Sequence, residues 1–189
     1  MKFDILMVGV GGQGTVLASD IVCDVALSAG YDVKKSEIHG MAQRGGSVVS
    51  HVRIGEKIAS PVIPVGSVDI LVSFERMEFL RYLEYINKNT SLVLNTGMIH
   101  PPGTAGGEEE YPEDYVEDNI KKFNNSYMID AFELAEQALN RKVTSTVVLG
   151  KLATLLPFRK KAWEEVISDK VPPKTVEYNL KAFDLGFNA

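Results

Sequence analysis

One cysteine in 189 residues, Cys23, excludes a disulfide within the chain, a four-thiolate zinc site and a self-contained iron–sulfur cluster, which needs about four cysteines. Cys23 falls in an apolar helical pattern and reads as a small buried hydrophobe rather than a reactive thiol. No stretch approaches the roughly 20 apolar residues that span a bilayer. Met1-Lys2-Phe3-Asp4 leads into glycines and does not resemble a signal peptide, so the expectation is a cytoplasmic protein. Positive charge is also in deficit: 20 Lys and Arg face 25 Asp and Glu, a net charge of −5 that favours neither nucleic acid nor an anionic membrane. Internal repeats and low-complexity linkers are lacking too, and 189 residues suit one domain spanning residues 1–189.

What is present is an alternation of strand and helix signals. Phe3 to Val8 is a short apolar run that stops at glycine, as a buried parallel strand does. Val16, Leu17, Ile21, Val22, Val25 and Ala26 then recur at helical spacing, with Gly30 at the C-terminal cap. Tyr31 to Ile38, Ser47 to Ile54, Val68 to Phe74, Ser91 to Asn95 and Tyr127 to Ile129 read as further strands. Helices are expected over Glu75 to Ile86, from an Asp130 cap through Leu139, over Ser145 to Leu156, and from Pro172 toward Phe187. Gly97 to Gly107, followed by Glu108-Glu109-Glu110, is a long surface excursion. The pattern predicts a three-layer α/β/α sandwich with a Rossmann-like start. Strands succeed one another between Gly46 and Pro64, so the central sheet should be mixed, though mostly parallel.

Gly9-Val10-Gly11-Gly12-Gln13-Gly14 lies between the first strand and the first helix, where a G-x-G-x-x-G turn holds an anion. Glycine permits the tight turn and close approach of backbone to ligand, and the helix aims its N–H groups and positive dipole end at whatever lies above. The other reading is a tight structural turn with no ligand. A nicotinamide site would want an acid about 20 residues on, and Glu37 is the nearest. Gln13 is unusual for such a site, because its polar side chain can reach a ligand or partner.

Ser36-Glu37-Ile38-His39-Gly40-Met41-Ala42-Gln43-Arg44-Gly45-Gly46-Ser47 gathers an imidazole, an amide, a guanidinium and three glycines within twelve positions. Arg44 offers a planar fork for carboxylate or phosphate, and Gly45 and Gly46 free the backbone beside it. His39 titrates near neutral pH. A surface loop with a salt-bridged arginine is the competing reading.

These two motifs, the second continuing through Val48-Val49-Ser50-His51-Val52-Arg53, resemble the gamma-type subunit of 2-oxoacid:ferredoxin oxidoreductases. The resemblance is nearest to the beta subunit of indolepyruvate ferredoxin oxidoreductase and covers almost the whole chain. Thr144 to Gly150 is similar to a helix segment of that family, which often carries asparagine near Ser145. The resemblance implies a subunit of an enzyme that oxidatively decarboxylates arylpyruvates to acyl-CoA and passes the electrons to ferredoxin. It puts thiamine diphosphate, Mg²⁺ and [4Fe-4S] clusters on an alpha-type partner subunit, with CoA as co-substrate. This chain lacks the Gly-Asp-Gly motif that holds the Mg²⁺-diphosphate, so alone it should be inactive.

The candidate site residues are therefore Gly9, Gly11, Gly12, Gln13, Gly14, Arg44, Gly45, Gly46 and Ser47, for CoA or another anionic group. Glu37 and His39 are outlying candidates for acid–base work. No metal site is expected. The face that an obligate partner leaves open can support a homodimer of the isolated chain. The alternatives are a free-standing Rossmann-type NAD(P)- or flavin-dependent enzyme and a non-catalytic nucleotide-binding module.

Overall fold

A computed structural model describes residues 1–39, 46–99 and 110–189, with His39 represented by its backbone alone. Arg44 and Gly45, and most of the predicted 97–107 excursion, lie outside the described residues. Six strands form one sheet: β1 (Phe3–Val10), β2 (Asp32–His39), β3 (Ser47–Gly55), β4 (Ile70–Ser73), β5 (Ser91–Asn95) and β6 (Ser126–Ile129). Their order is β2-β3-β1-β4-β5-β6. β3 pairs antiparallel with both β1 and β2, whereas β1, β4, β5 and β6 pair in parallel. The sheet is mixed and mostly parallel, as the strand succession after Gly46 predicts.

β1 is apolar at almost every position because it is central and buried on both faces. Its side chains divide by the period of two. Ile5 and Met7 enter one core with α1 (Thr15–Ser28), α3 (Ala131–Gln137), α4 (Thr144–Ala153), α5 (Lys160–Lys170) and α6 (Val176–Asn188). Leu6 and Val8 enter a smaller core, covered by a 3₁₀ segment at Glu78–Tyr85 and by α2 (Glu113–Ile120). The two outer layers are thus unequal. α1 ends as predicted: Gly30 has φ 86°, its N–H reaches the Leu27 carbonyl, and the Tyr31 N–H reaches the Ala26 carbonyl. Asp130 also caps as predicted, its Oδ1 accepting from the Glu133 N–H at 3.0 Å.

Three elements depart from the sequence expectation. The predicted helix over Glu75 to Ile86 is a 3₁₀ segment over Glu78–Tyr85, broken at Tyr82 (φ −122°). The buried Glu75 carboxylate accounts for its tight start, accepting the N–H groups of Met77 and Glu78 at 2.7 and 3.1 Å. α2 and α5 have no counterpart in the sequence reading. α5 buries only Trp163 and Ile167, one turn apart, within a charged stretch, so its apolar stripe is narrow.

Candidate functional site

The site lies at the C-terminal ends of the parallel strands. The chain leaves β1 toward the larger helical layer through α1, and leaves the adjacent parallel β4 toward the opposite face through the 3₁₀ segment. Open α/β sheets place ligands at such a reversal. Here the glycine turn forms its rim.

Packing explains two of the turn's glycines. A β-carbon on Gly9 would stand 2.8 Å from Thr15 Oγ1, 2.9 Å from Gln13 Oε1 and 3.1 Å from Phe74 Cβ, so only glycine lets α1 and β4 close on β1. Gly14 caps α1 at φ 80°, and a β-carbon there would stand 2.7 Å from Ser145 Oγ on α4. The N-termini of α1 and α4 therefore meet beside the turn. Thr15 Oγ1, beneath Gly9, is buried without a hydrogen-bond partner among the described residues.

Gln13 turns inward. Its Oε1 accepts from the Val10 N–H at 2.7 Å, and its Nε2 donates to the Phe74 carbonyl at 2.8 Å. Asn95 Nδ2 donates to the same carbonyl at 3.0 Å, and Asn95 Oδ1 accepts from Gly97 and Ala131. One amide chain thus ties together the ends of β1, β4 and β5 and the start of α3. The Gln13 side chain fills the slot between β1 and β4 and closes it.

Besides the Val10 N–H held by Gln13 Oε1, the turn's Gly11 N–H donates to the Gly46 carbonyl at 2.8 Å and its Gln13 N–H to the Val10 carbonyl. Those of Gly12 and Gly14 have no partner among the described residues. The Gly11–Gly46 bond brings the end of the second sequence motif against the first. On the α1 side the turn borders a recess of about 480 Å³, lined by Gly11, Gly12, Gly14, Thr15, Asp20 and Val48 among others. Ser47 faces the other way, its hydroxyl donating to Glu78 Oε2 at 2.6 Å on the 3₁₀ side of the sheet.

Glu37 accepts from Lys35 Nζ at 2.5 Å and from Ser19 Oγ at 3.3 Å, and Lys35 also holds Asp20. Burial lowers the Lys35 pKa, but its bonds to Asp20 and Glu37 outweigh that, leaving it above the ordinary lysine value. Glu37 is not set beside the turn as a ribose acid would be, because β3 intervenes between β1 and β2. A dinucleotide fold pairs those two strands directly. The His39 backbone ends β2 opposite Val48, and its side chain lies outside the described residues.

The rest of the second motif anchors the fold. His51 is buried, its Nδ1 accepts from the Ile63 N–H at 3.3 Å, and burial holds its pKa below the usual value. Arg53 donates from Nε to the fully buried Asp4 at 2.7 Å and from Nη1 to the Ser60 and Val62 carbonyls. The sequence reading missed a second crevice of about 510 Å³, lined by Gly11, Gly12, Gln13, Phe74, Ile99, Phe132, Arg141, Lys142 and Thr144. Its signal was the Arg141-Lys142 pair just ahead of a helix.

The model of the family described as pyruvate ferredoxin/flavodoxin oxidoreductase matches residues 4–189. Among relatives, the indolepyruvate oxidoreductase subunit IorB of Archaeoglobus fulgidus is 42% identical over 192 residues, covering 100% of this chain and 95% of that protein. Among solved structures, the pyruvate oxidoreductase subunit PORC of Thermotoga maritima is 24% identical with a TM-score of 0.76, covering 99% of this chain and 96% of that one. The 2-oxoglutarate:ferredoxin oxidoreductase of Magnetococcus marinus, solved with 2-oxoglutarate, coenzyme A and succinyl-CoA bound, is 21% identical with a TM-score of 0.75. This chain is matched over 99% of its length there and covers 30% of that longer chain. With its mixed sheet, glycine turn and near-complete match to the family model, the chain belongs to the pyruvate ferredoxin/flavodoxin oxidoreductase family.

Proposed function

We propose that this chain is the gamma-type subunit of a 2-oxoacid:ferredoxin oxidoreductase whose substrate is indolepyruvate or another arylpyruvate. The complex decarboxylates the 2-oxoacid oxidatively to an acyl-CoA and passes the electrons to ferredoxin. Near-complete coverage at 42% identity by an indolepyruvate oxidoreductase subunit supports that substrate.

The recess beside α1 receives an anionic group, CoA by preference, and the partner subunit completes it. Gly12 and Gly14 supply N–H groups, the α1 dipole adds positive potential, and Gly9 and Gln13 hold the turn rigid. Arg44, with Gly45 beside it, supplies the fork; Gly46 fixes that segment to the turn, and Ser47 anchors it to Glu78. The observation that carries this assignment is the Gly11–Gly46 hydrogen bond, which brings the two motifs to one rim.

Thiamine diphosphate, Mg²⁺ and the [4Fe-4S] clusters belong to the alpha-type partner. This chain has one cysteine, too few for a four-thiolate cluster. Lys35 holds Glu37, and no residue here is assigned as nucleophile or general base. A tagged copy expressed in the native organism should bring down a cysteine-rich, thiamine-containing subunit as a brown complex. A colourless monomer that binds NADH at micromolar levels would reject the assignment.

A further inference from the structure

We propose that β2 is an interface strand: the β2 edges of two copies of this chain pair antiparallel about a two-fold axis at Ser36, joining their six-stranded sheets into one.

β2 stands at one end of the sheet order and pairs only with β3 among the described residues. An open edge strand invites another chain, so folds blunt it by shortness, a bulge, proline or uncompensated charge. The opposite edge, β6, is four residues long. β2 runs for eight, Asp32 to His39, each facing one residue of β3 with no bulge and no proline. Its lysines are engaged within the chain: Lys34 holds Asp32 at 3.0 Å, and Lys35 holds Asp20 and Glu37. Asp32 and Glu37 balance Lys34 and Lys35, so the strand carries no net charge to repel a copy of itself. Ile38 is 60% exposed on the same strand.

Geometry and charge select the register. A two-fold axis normal to the sheet keeps each face on its own side. Residues directly opposite must then share a face, and their numbers sum to an even value. Only axes at Lys35, pairing 32–38, and at Ser36, pairing 33–39, use all but one residue of β2. The axis at Lys35 sets two lysines against each other, which is destabilising. The axis at Ser36 sets hydroxyl against hydroxyl, Lys35 against Glu37 twice, and the aliphatic stem of Lys34 against Ile38 twice. Opposite charges face each other there and like charges do not. A second copy is the occupant that this strand's own sequence specifies.

The test uses the full chain. Its mass in solution, read by light scattering after size exclusion, should approach twice the monomer's as concentration rises. Ser36→Lys places like charges on the axis and should weaken the dimer at least about tenfold, with the melting temperature of a dilute sample unchanged. Ser36→Cys should form an intermolecular disulfide under mild oxidation, because residues directly opposite lie about 4.5–5.5 Å apart at Cα. Lys34→Cys should not, since an offset of about 13 Å along the strand separates its two copies. Cys23 is buried and offers no competing thiol. The proposal is overturned by any of three results: a monomer at every concentration up to about 1 mM, equal crosslinking of the two cysteine variants, or a dimer of full strength in Ser36→Lys. A monomer whose β2 amides gain protection from hydrogen exchange only in the co-purified complex would give the edge to the partner subunit and overturn it as well. None of these outcomes bears on the subunit assignment, which is read by co-purification.

Discussion

Gln13 Nε2 donates to the Phe74 carbonyl at 2.8 Å across the slot between two parallel strands, while its Oε1 holds the Val10 N–H. The residue that looks most available to a ligand in the sequence is committed to the protein's own backbone. Gln13→Ala should therefore lower folding stability by about 1–3 kcal/mol, because a partly buried N–H loses its acceptor. Gln13→Glu should also destabilise, since it replaces the donor to Phe74 with a carboxylate oxygen. Urea unfolding of the isolated chain reads both; wild-type midpoints would assign the side chain to a ligand instead.

Gly12 and Gly14 both have positive φ but differ in their surroundings. Gly12, at φ 99°, has open space where a β-carbon would go, whereas Gly14 faces Ser145 Oγ at 2.7 Å. Gly12→Ala should cost about 1 kcal/mol, from backbone conformation alone. Gly14→Ala should cost at least about 2 kcal/mol, adding a steric clash to a similar backbone penalty. Equal losses in the two variants would contradict the contact between α1 and α4.

α4 and α6 cross at glycine. A β-carbon on Gly186 would fall onto the Val147 carbonyl, and one on Gly150 onto the Phe183 carbonyl. Backbone cannot give way as a flexible side chain does. Gly186→Ala should cost about 3 kcal/mol or more, lowering Tm by roughly 6 °C or more. Differential scanning fluorimetry checks it.

His51 gives the fold a pH dependence. Burial depresses its folded pKa below the ordinary 6.5, so the unfolded chain takes up the proton more readily. Its contribution is complete above about pH 6.5 and is lost as pH falls through the folded value. Unfolding free energy should drop on acidification below that point, with a shallower slope in His51→Gln. Identical slopes would remove the imidazole as the cause.

Cys23 should be inert in the folded chain. Burial is the main cause that pushes its thiol pKa up to about 12, leaving almost no thiolate at neutral pH. A maleimide should label it only after denaturant is added; rapid labelling of the native chain would contradict the packing beneath α1.

Legibility in the sequence followed physical scale. The Gly9 to Gly14 turn, the Gly30 cap and the Asp130 cap were readable because each needs a particular residue over a few positions. The mixed sheet was readable from strands that follow one another without a helix. Glu75 was not, because its effect on the 3₁₀ segment works through a buried carboxylate and depends on tertiary placement. Ser47, His51 and Arg53 form a polar string that looks like site chemistry, yet their side chains bind Glu78, the Ile63 N–H and Asp4. Even spacing puts all three on one face of β3, the 3₁₀ side of the sheet, away from the recess beside α1, and only tertiary placement decides that. The second crevice joins residues as distant as Gly11 and Lys142, a separation no local pattern spans.

The most direct test of the proposed role is Arg44→Lys in the co-purified complex, assayed by 2-oxoacid-dependent ferredoxin reduction. Lysine keeps the charge and loses the fork, so activity should fall about tenfold while the partner still co-purifies at the wild-type yield. Full activity in that variant would contradict an anion held between the glycine turn and a guanidinium.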